Sequence, residues 1–300
     1  MKKDLICIKD LSTKEIDKVF SLTTKLKKSK SSFSKKLKGK SVVLIFQKPS
    51  NRTRVSFEVG VWQLGGNCIY LGPDEINLGV RETVEDAAKT LSRYLDAIVA
   101  RTYKHSDMLD LAKYSKIPVI NGLSDLLHPC QALADLYTIK EKFGKLKGVN
   151  LAYIGDGNNV CHSLMYVCAK VGVNLKIATP KGYGPNKKII RDSKTPMKNI
   201  SNNPNKAADG AEVVYTDVWA SMGKEQEAAK RKKIFKGFQV NSRLVLKAKK
   251  NYIFMHCLPA HRGQEVADNI MDSKHSIVFD QAENRLHVQK AILVMLLVGK

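Results

Sequence analysis

The feature that most constrains this chain is a recurring alternation. Short runs of β-branched and aliphatic residues are followed by stretches whose apolar residues recur every three or four positions. Ser41 to Phe46 (SVVLIF), Asp96 to Arg101 (DAIVAR) and Ile117 to Asn121 (IPVIN) are such runs. LAYI, NLKIATP, EVVYTDV and NYIFMHCL repeat the pattern beyond Lys147. A continuous apolar run, without in/out alternation, belongs to a strand buried on both faces, as in parallel sheets covered by helices. Strands alternating with helices predict a doubly wound α/β fold. Thr13 to Lys28 reads as an amphipathic helix, with Ile16, Val19, Phe20 and Leu22 on its apolar side. A second helix runs from about Thr53 to Leu64 and is stopped by Gly65-Gly66. Further helices are expected over Val84 to Leu95, Met108 to Tyr114, Cys130 to Phe143 and Cys161 to Val171, and a last one from about Gln289 to Val298. Asn186 to Asn205 is polar and weakly patterned, and reads as a loop with a frayed helix.

A length of 300 residues suits two domains. No Gly/Pro linker is visible, so the division is placed within the helix Cys130 to Phe143. The six cysteines are scattered without a CxxC pair, against a zinc knuckle or a disulfide framework and in keeping with a reducing cytosol. The N-terminus has no apolar core of a signal peptide, and no run reaches membrane-spanning length. The net charge is +23, mostly from lysine around Lys25 to Lys40 and Lys224 to Lys233. Lysine along amphipathic helices is ordinarily a solvated face. With aromatics at only 7% and no basic/aromatic interleaving, the charge argues for a basic surface and against a dedicated nucleic-acid binder.

Five constellations carry chemistry. Ser50-Asn51-Arg52-Thr53-Arg54 lies between a buried strand and a helix. Free N–H groups and the positive helix pole suit a phosphate there, and two arginines and two hydroxyls add to it; a capped helix with solvated arginines is the plain alternative. His128-Pro129-Cys130-Gln131 opens a helix after IPVIN, placing His128 and Gln131 near a strand's carboxyl end, where open α/β sheets bind ligands. Arg101 ends DAIVAR at the same edge. Gly155-Asp156-Gly157-Asn158-Asn159 resembles a dinucleotide turn, but the third glycine position holds Val160 and the next strand ends in Thr179-Pro180, so a Rossmann cofactor is not supported. Asp217-Val218-Trp219-Ala220-Ser221-Met222-Gly223 offers a carboxylate for an ammonium group, or simply a cap and turn. His256-Cys257-Leu258-Pro259 ends a strand. Neighbouring strand residues point to opposite faces, so a Cys–His nucleophile is disfavoured, and so is zinc.

Together these segments resemble the ornithine carbamoyltransferase family over nearly the whole chain. The order is FQKPSNRTRVSFE, LGVRETVEDAAKTLSRY, NGLSDLLHPCQALADL, IGDGNNV, TDVWASMG, HCLPAHRG and AENR. The resemblance implies two doubly wound α/β domains, each with a central, mostly parallel sheet. Residues 1–135 would bind carbamoyl phosphate, with a C-terminal helix, 286–300, packing back on them; residues 136–285 would bind ornithine. It implies that Ser50, Asn51, Arg52, Thr53 and Arg54 bind the phosphate, that Arg101, His128 and Gln131 hold the carbamoyl group, and that Asn159, Asp217, Ser221 and Met222 hold the amino-acid end of ornithine. Cys257, Leu258 and Arg285 complete the site, with Arg101, His128, Cys257 and Thr53 nearest the reacting atoms. It further implies a homotrimer with shared sites, Asn77 reaching in from a neighbouring subunit, and no metal or organic cofactor. The family's phosphate loop usually reads STRTR; here it is SNRTR. Asn77 stands where glutamine or histidine is frequent.

Overall fold

The computed structural model describes residues 3–29, 33–220 and 225–298. The chain divides into two compact units, residues 1–134 with 283–300, and residues 135–282. The crossings fall inside helices, so Arg285 belongs to the first unit and Asp135 to the second.

The first unit is built on four parallel strands, β1 (Ser41–Phe46), β2 (Asn67–Leu71), β3 (Ala97–Arg101) and β4 (Val119–Leu123), in the order β2-β1-β3-β4. Val42 to Phe46 and Ala97 to Ala100 are fully buried, which is why both runs are apolar throughout. Strand order reverses between β1 and β3, and ligands of open α/β sheets bind at the carboxyl ends beside such a switch. Helix α1 (Thr13–Lys28) is closed by a capping box in which Ser12 and Glu15 satisfy each other's backbone N–H groups. The segment before it bonds to β4 through Leu5, covering that edge. Helix α2 (Asn51–Gln63) follows β1 and ends at Gly65, whose φ of +80° only glycine adopts readily.

The second unit carries five parallel strands, β5 (Asn150–Ile154), β6 (Asn174–Ala178), β7 (Ile200–Ser201), β8 (Val213–Thr216) and β9 (Ile253–His256), in the order β7-β6-β5-β8-β9. Its switch lies between β5 and β8, and α3 (Asn159–Val171) starts there. One side of the sheet packs Val214, Phe254, Val240 and Ile270 into a single cluster.

Two stretches differ from expectation. Residues 186–205 are more ordered than their pattern suggests: Lys187–Ser193 and the start of Pro204–Ala208 are helical, with β7 between them. Asn186 and Asn203 accept backbone N–H groups at these helix starts, so local capping replaces apolar periodicity. The last helix begins at Val278. Its first turns bury Gln281, Asn284 and Arg285, and these polar side chains interrupt the apolar stripe.

Phe254 is wholly buried, whereas Leu246 is 82% exposed. Phe254→Ala should lower the unfolding free energy by about 3–5 kcal/mol in urea titrations. Leu246→Ala should stay within about 0.5 kcal/mol of the parent.

Candidate active site

Each unit gathers predicted residues at the switch point of its own sheet. In the first unit, Ser50 occupies the N-cap position of α2, and its side chain makes no capping bond. The helix therefore keeps its hydroxyl and its positive pole for another acceptor. Thr53, one turn in, is buried, and its hydroxyl accepts from Arg285 Nη2 at 2.9 Å. Arg101 ends β3. Burial, Arg285 and Arg52 together push its guanidinium pKa down to about 10. His128 is buried just before the helix Pro129–Phe143, and burial with Arg285 and Arg101 holds it well below the usual 6.5. Gln131 is buried on the first turn of that helix. Two half-buried guanidinium groups, Arg52 and Arg101, and a buried one, Arg285, thus lie near a buried neutral imidazole. Such crowding of like charges disfavours each of them and favours a bound anion.

Two predicted phosphate-site residues stand differently. Arg54 lies along its helix, bonding Glu58 at 3.0 Å and stacking over the Tyr70 ring at 3.7 Å. Its charge does not figure among those that lower Arg101. Asn77 is exposed, in a left-handed conformation with φ of +40°. It starts a tight loop whose Leu78 carbonyl accepts from Gln47. Gln47, three residues before Ser50, also accepts the Tyr103 N–H at 2.6 Å; its part in holding these loops was not foreseen from sequence.

In the second unit Asn158, more than Asn159, organises the turn. Its Oδ1 accepts the N–H groups of Val160 and Cys161, capping α3, and its Nδ2 donates to Asp217 Oδ2 at 2.6 Å. Asp217 Oδ1 accepts the N–H of Val218 at 2.8 Å and the thiol of Cys257 at 3.0 Å. Asn159 is buried beside this carboxylate's partner. The thiol's partner is thus an anionic carboxylate and not the imidazole that activates the sulfur nucleophile of a Cys–His pair. His256 accepts the Leu258 N–H on Nδ1 at 2.8 Å, and its Nε2 lies 3.3 Å from the buried Glu265. Asp217, His256 and Cys257 bring donor atoms within 4.8 Å of one another. The His256 Nδ1 lone pair is engaged by the Leu258 N–H and Asp217 Oδ1 by two donors, so the trio is held as a hydrogen-bond network. The end of β9 is fixed from behind, because the His256 N–H donates to Gln281, whose amide donates to Asp135 at 2.7 Å. Leu258 follows with φ of +59°, rare for a bulky residue. Ser221 and Met222 lie outside the described residues.

The arrangement can therefore hold a phosphate-bearing anion on the first unit and a group with an ammonium on the second. The profile of the carbamoyl-P binding domain of aspartate/ornithine carbamoyltransferases matches residues 3–141, and that of the Asp/Orn binding domain matches residues 147–296. The chain is 53% identical to an ornithine carbamoyltransferase of Pyrococcus horikoshii, over 99% of this chain and 96% of that one. It is 52% identical to an anabolic ornithine carbamoyltransferase of Pyrococcus furiosus, over 99% and 97%. The solved Pyrococcus furiosus ornithine carbamoyltransferase superposes with a TM-score of 0.95 at 51% identity, covering 99% of this chain and 97% of that one. The fold and site define a carbamoyl-group transferase. The chain belongs to the aspartate/ornithine carbamoyltransferase family, and its relatives place it in the ornithine branch.

The lowered His128 pKa has a sign that can be tested. An unfolded chain takes up a proton near pH 6.5 that the folded one refuses. Stability is thus unaffected above that pH and falls below it, by about 1.4 kcal/mol per pH unit. Between about pH 6.5 and 5.5, over which the slope is still building, urea unfolding should show the parent losing about 1 kcal/mol more stability than His128→Gln.

Proposed function

We propose that this protein transfers the carbamoyl group of carbamoyl phosphate to the side-chain amine of L-ornithine, giving L-citrulline and phosphate. The observation that carries the reading is the convergence of Arg52, Arg101, Arg285 and His128 near the carboxyl end of β3, a concentration of positive charge and directed donors suited to a small phosphate-bearing anion. Carbamoyl phosphate supplies a matching negative charge. Its phosphate takes the start of α2, with Ser50, Asn51, Arg52 and Thr53, and Arg54 on re-orientation from Glu58. Its carbamoyl group takes Arg101, His128 and Gln131. On the second unit Asp217 pairs with the α-ammonium of ornithine, Asn159, Ser221 and Met222 hold the rest of the amino-acid end, and Cys257 and Leu258 lie near the reacting groups.

In the reaction the neutral side-chain amine attacks the carbonyl carbon, the carbon–oxygen bond to phosphorus breaks, and phosphate leaves with the electron pair. The amine sheds a proton to phosphate or solvent. Alkylammonium groups titrate at about 10, so the cations at the site assist by favouring the neutral amine. His128 is itself neutral and donates to the carbonyl oxygen together with Arg101 and Thr53. A donor of this kind is typically worth about 3–4 kcal/mol of barrier. Every step is served by side chains and needs no metal or organic cofactor.

We also infer a homotrimer in which Asn77 serves a neighbour's site. Exposed Val55, Trp62 and Ile69 on α2 and the edge strand β2 support an association face on the first unit. Six free thiols support a reducing cytoplasm, and among the described residues no helix is long and apolar enough to cross a membrane. The relative named anabolic supports the synthetic direction, toward arginine.

Citrulline formation from carbamoyl phosphate should exceed carbamoylation of lysine by about 10- to 200-fold in kcat/KM, the span one methylene allows; putrescine and aspartate, lacking the matching amino-acid end or the side-chain amine, should be poorer still. Preferential use of any of these would overturn the assignment. Arg101→Met should lower kcat by about 10²–10³-fold, whereas Cys257→Ala should keep most turnover. Sedimentation should give three chain masses.

A further inference from the structure

We infer that Arg231, with Asp156, is a positioning residue for the acceptor half of the site, an inference that rests on the assignment of Asp217 to ornithine. Arg231 comes from the lysine-rich helix Ala228–Phe235, whose neighbouring side chains are solvated. Its own side chain is only 4% exposed. Nη1 lies 3.0 Å from Asp156 Oδ2, on a carboxyl group that is 3% exposed, and the same nitrogen donates to the carbonyl of Trp219 at 2.8 Å. Nε donates to Glu227 at 2.9 Å, but that carboxylate is more than half exposed. Aromatic rings close the place: the guanidinium carbon is 4.8 Å from the Tyr183 ring centre and 5.8 Å from that of Phe235, against which Trp219 and Tyr183 also pack.

The consequence lies in what these partners adjoin. Asp156 is two residues from Asn158, and Trp219 is two residues from Asp217. Asn158 and Asp217 are bonded to each other at 2.6 Å. The turn 155–159 and the segment 217–219 are therefore joined twice, directly through Asn158–Asp217 and again through Asp156–Arg231–Trp219. One contact lets two segments pivot; two separated contacts fix their angle. That angle sets which lone pairs Asp217 presents, because Oδ1 is already shared with Val218 and Cys257. A planar guanidinium with several donors bridges a carboxylate and a carbonyl at once, which a lysine ammonium on a flexible stem does poorly. Arg231 itself touches no reacting atom in this account. Its effect should fall on capture of the amino acid and leave carbamoyl phosphate binding alone.

The test compares the full-length enzyme with Arg231→Lys and Glu227→Gln. Arg231→Lys is expected to raise the KM for ornithine at least tenfold, with the KM for carbamoyl phosphate within twofold and kcat less affected than KM. Inhibition by L-norvaline, which has the same amino-acid end and no side-chain amine, should weaken by a similar factor. Glu227→Gln, on the exposed leg, should match the parent. If Arg231→Lys proves too unstable to assay, Asp156→Asn, nearly the same size, should show the same split. An unchanged ornithine KM in a folded variant would overturn the inference, as would an equal rise in both KM values. Failure of the parent to make citrulline would instead overturn the functional assignment and this inference with it.

Discussion

The first unit is organised around a set of like charges brought out of water. Arg101, Arg285 and His128 are pressed together with Arg52 nearby, and both titratable partners respond in the same direction, Arg101 falling to about 10 and His128 well below its usual value. Drawing several like charges together away from water is costly, and is tolerable only where the surrounding fold is strong enough to hold them. The fully buried strands β1 and β3 supply that strength. An anion bound among these groups lowers their mutual repulsion, and on the proposed function that relief adds to the affinity for carbamoyl phosphate.

The second unit solves a different problem. Its ligand end is zwitterionic, so a concentration of one charge would not serve. There the structure uses a carboxylate whose lone pairs are divided among an amide, a backbone N–H and a thiol, so that its orientation is set before any ligand arrives. Both solutions sit at the same topological place, the carboxyl ends of strands where the winding reverses. The doubly wound fold offers that crevice with helix starts on its rim, and the residues placed there decide what it binds.

Much of this was legible in the sequence because it is local. Buried parallel strands are apolar throughout, and the residues that follow them, Ser50 to Arg54, Arg101, His128, Asp217 and Cys257, are placed by the strand ends themselves. What was not legible depends on distant contacts. Nothing in AAKRKK separates Arg231 from its solvated neighbours; only the fold brings Asp156 to it. The start of the last helix was obscured because Gln281, Asn284 and Arg285 are buried for their polar bonds and break the apolar period. Asn158 and Asn159 are indistinguishable in sequence, and the capping geometry decides which one holds Asp217.

The same distinction gives meaning to the basic composition. The net charge of +23 is carried mostly by exposed lysines, while the cations gathered near the two sheet switch points, Arg52, Arg101, Arg231 and Arg285, are arginines. A lysine at the surface keeps its hydration and costs little; a buried cation must replace lost water with several directed bonds, which favours the guanidinium. Surface lysines still contribute a long-range field that attracts a dianionic substrate and that salt screens within about 10 Å. On the proposed function, attraction and recognition are divided between two kinds of cation: the lysines raise the rate of encounter with anions in general, and the arginines at the sheet switch points discriminate among them by geometry.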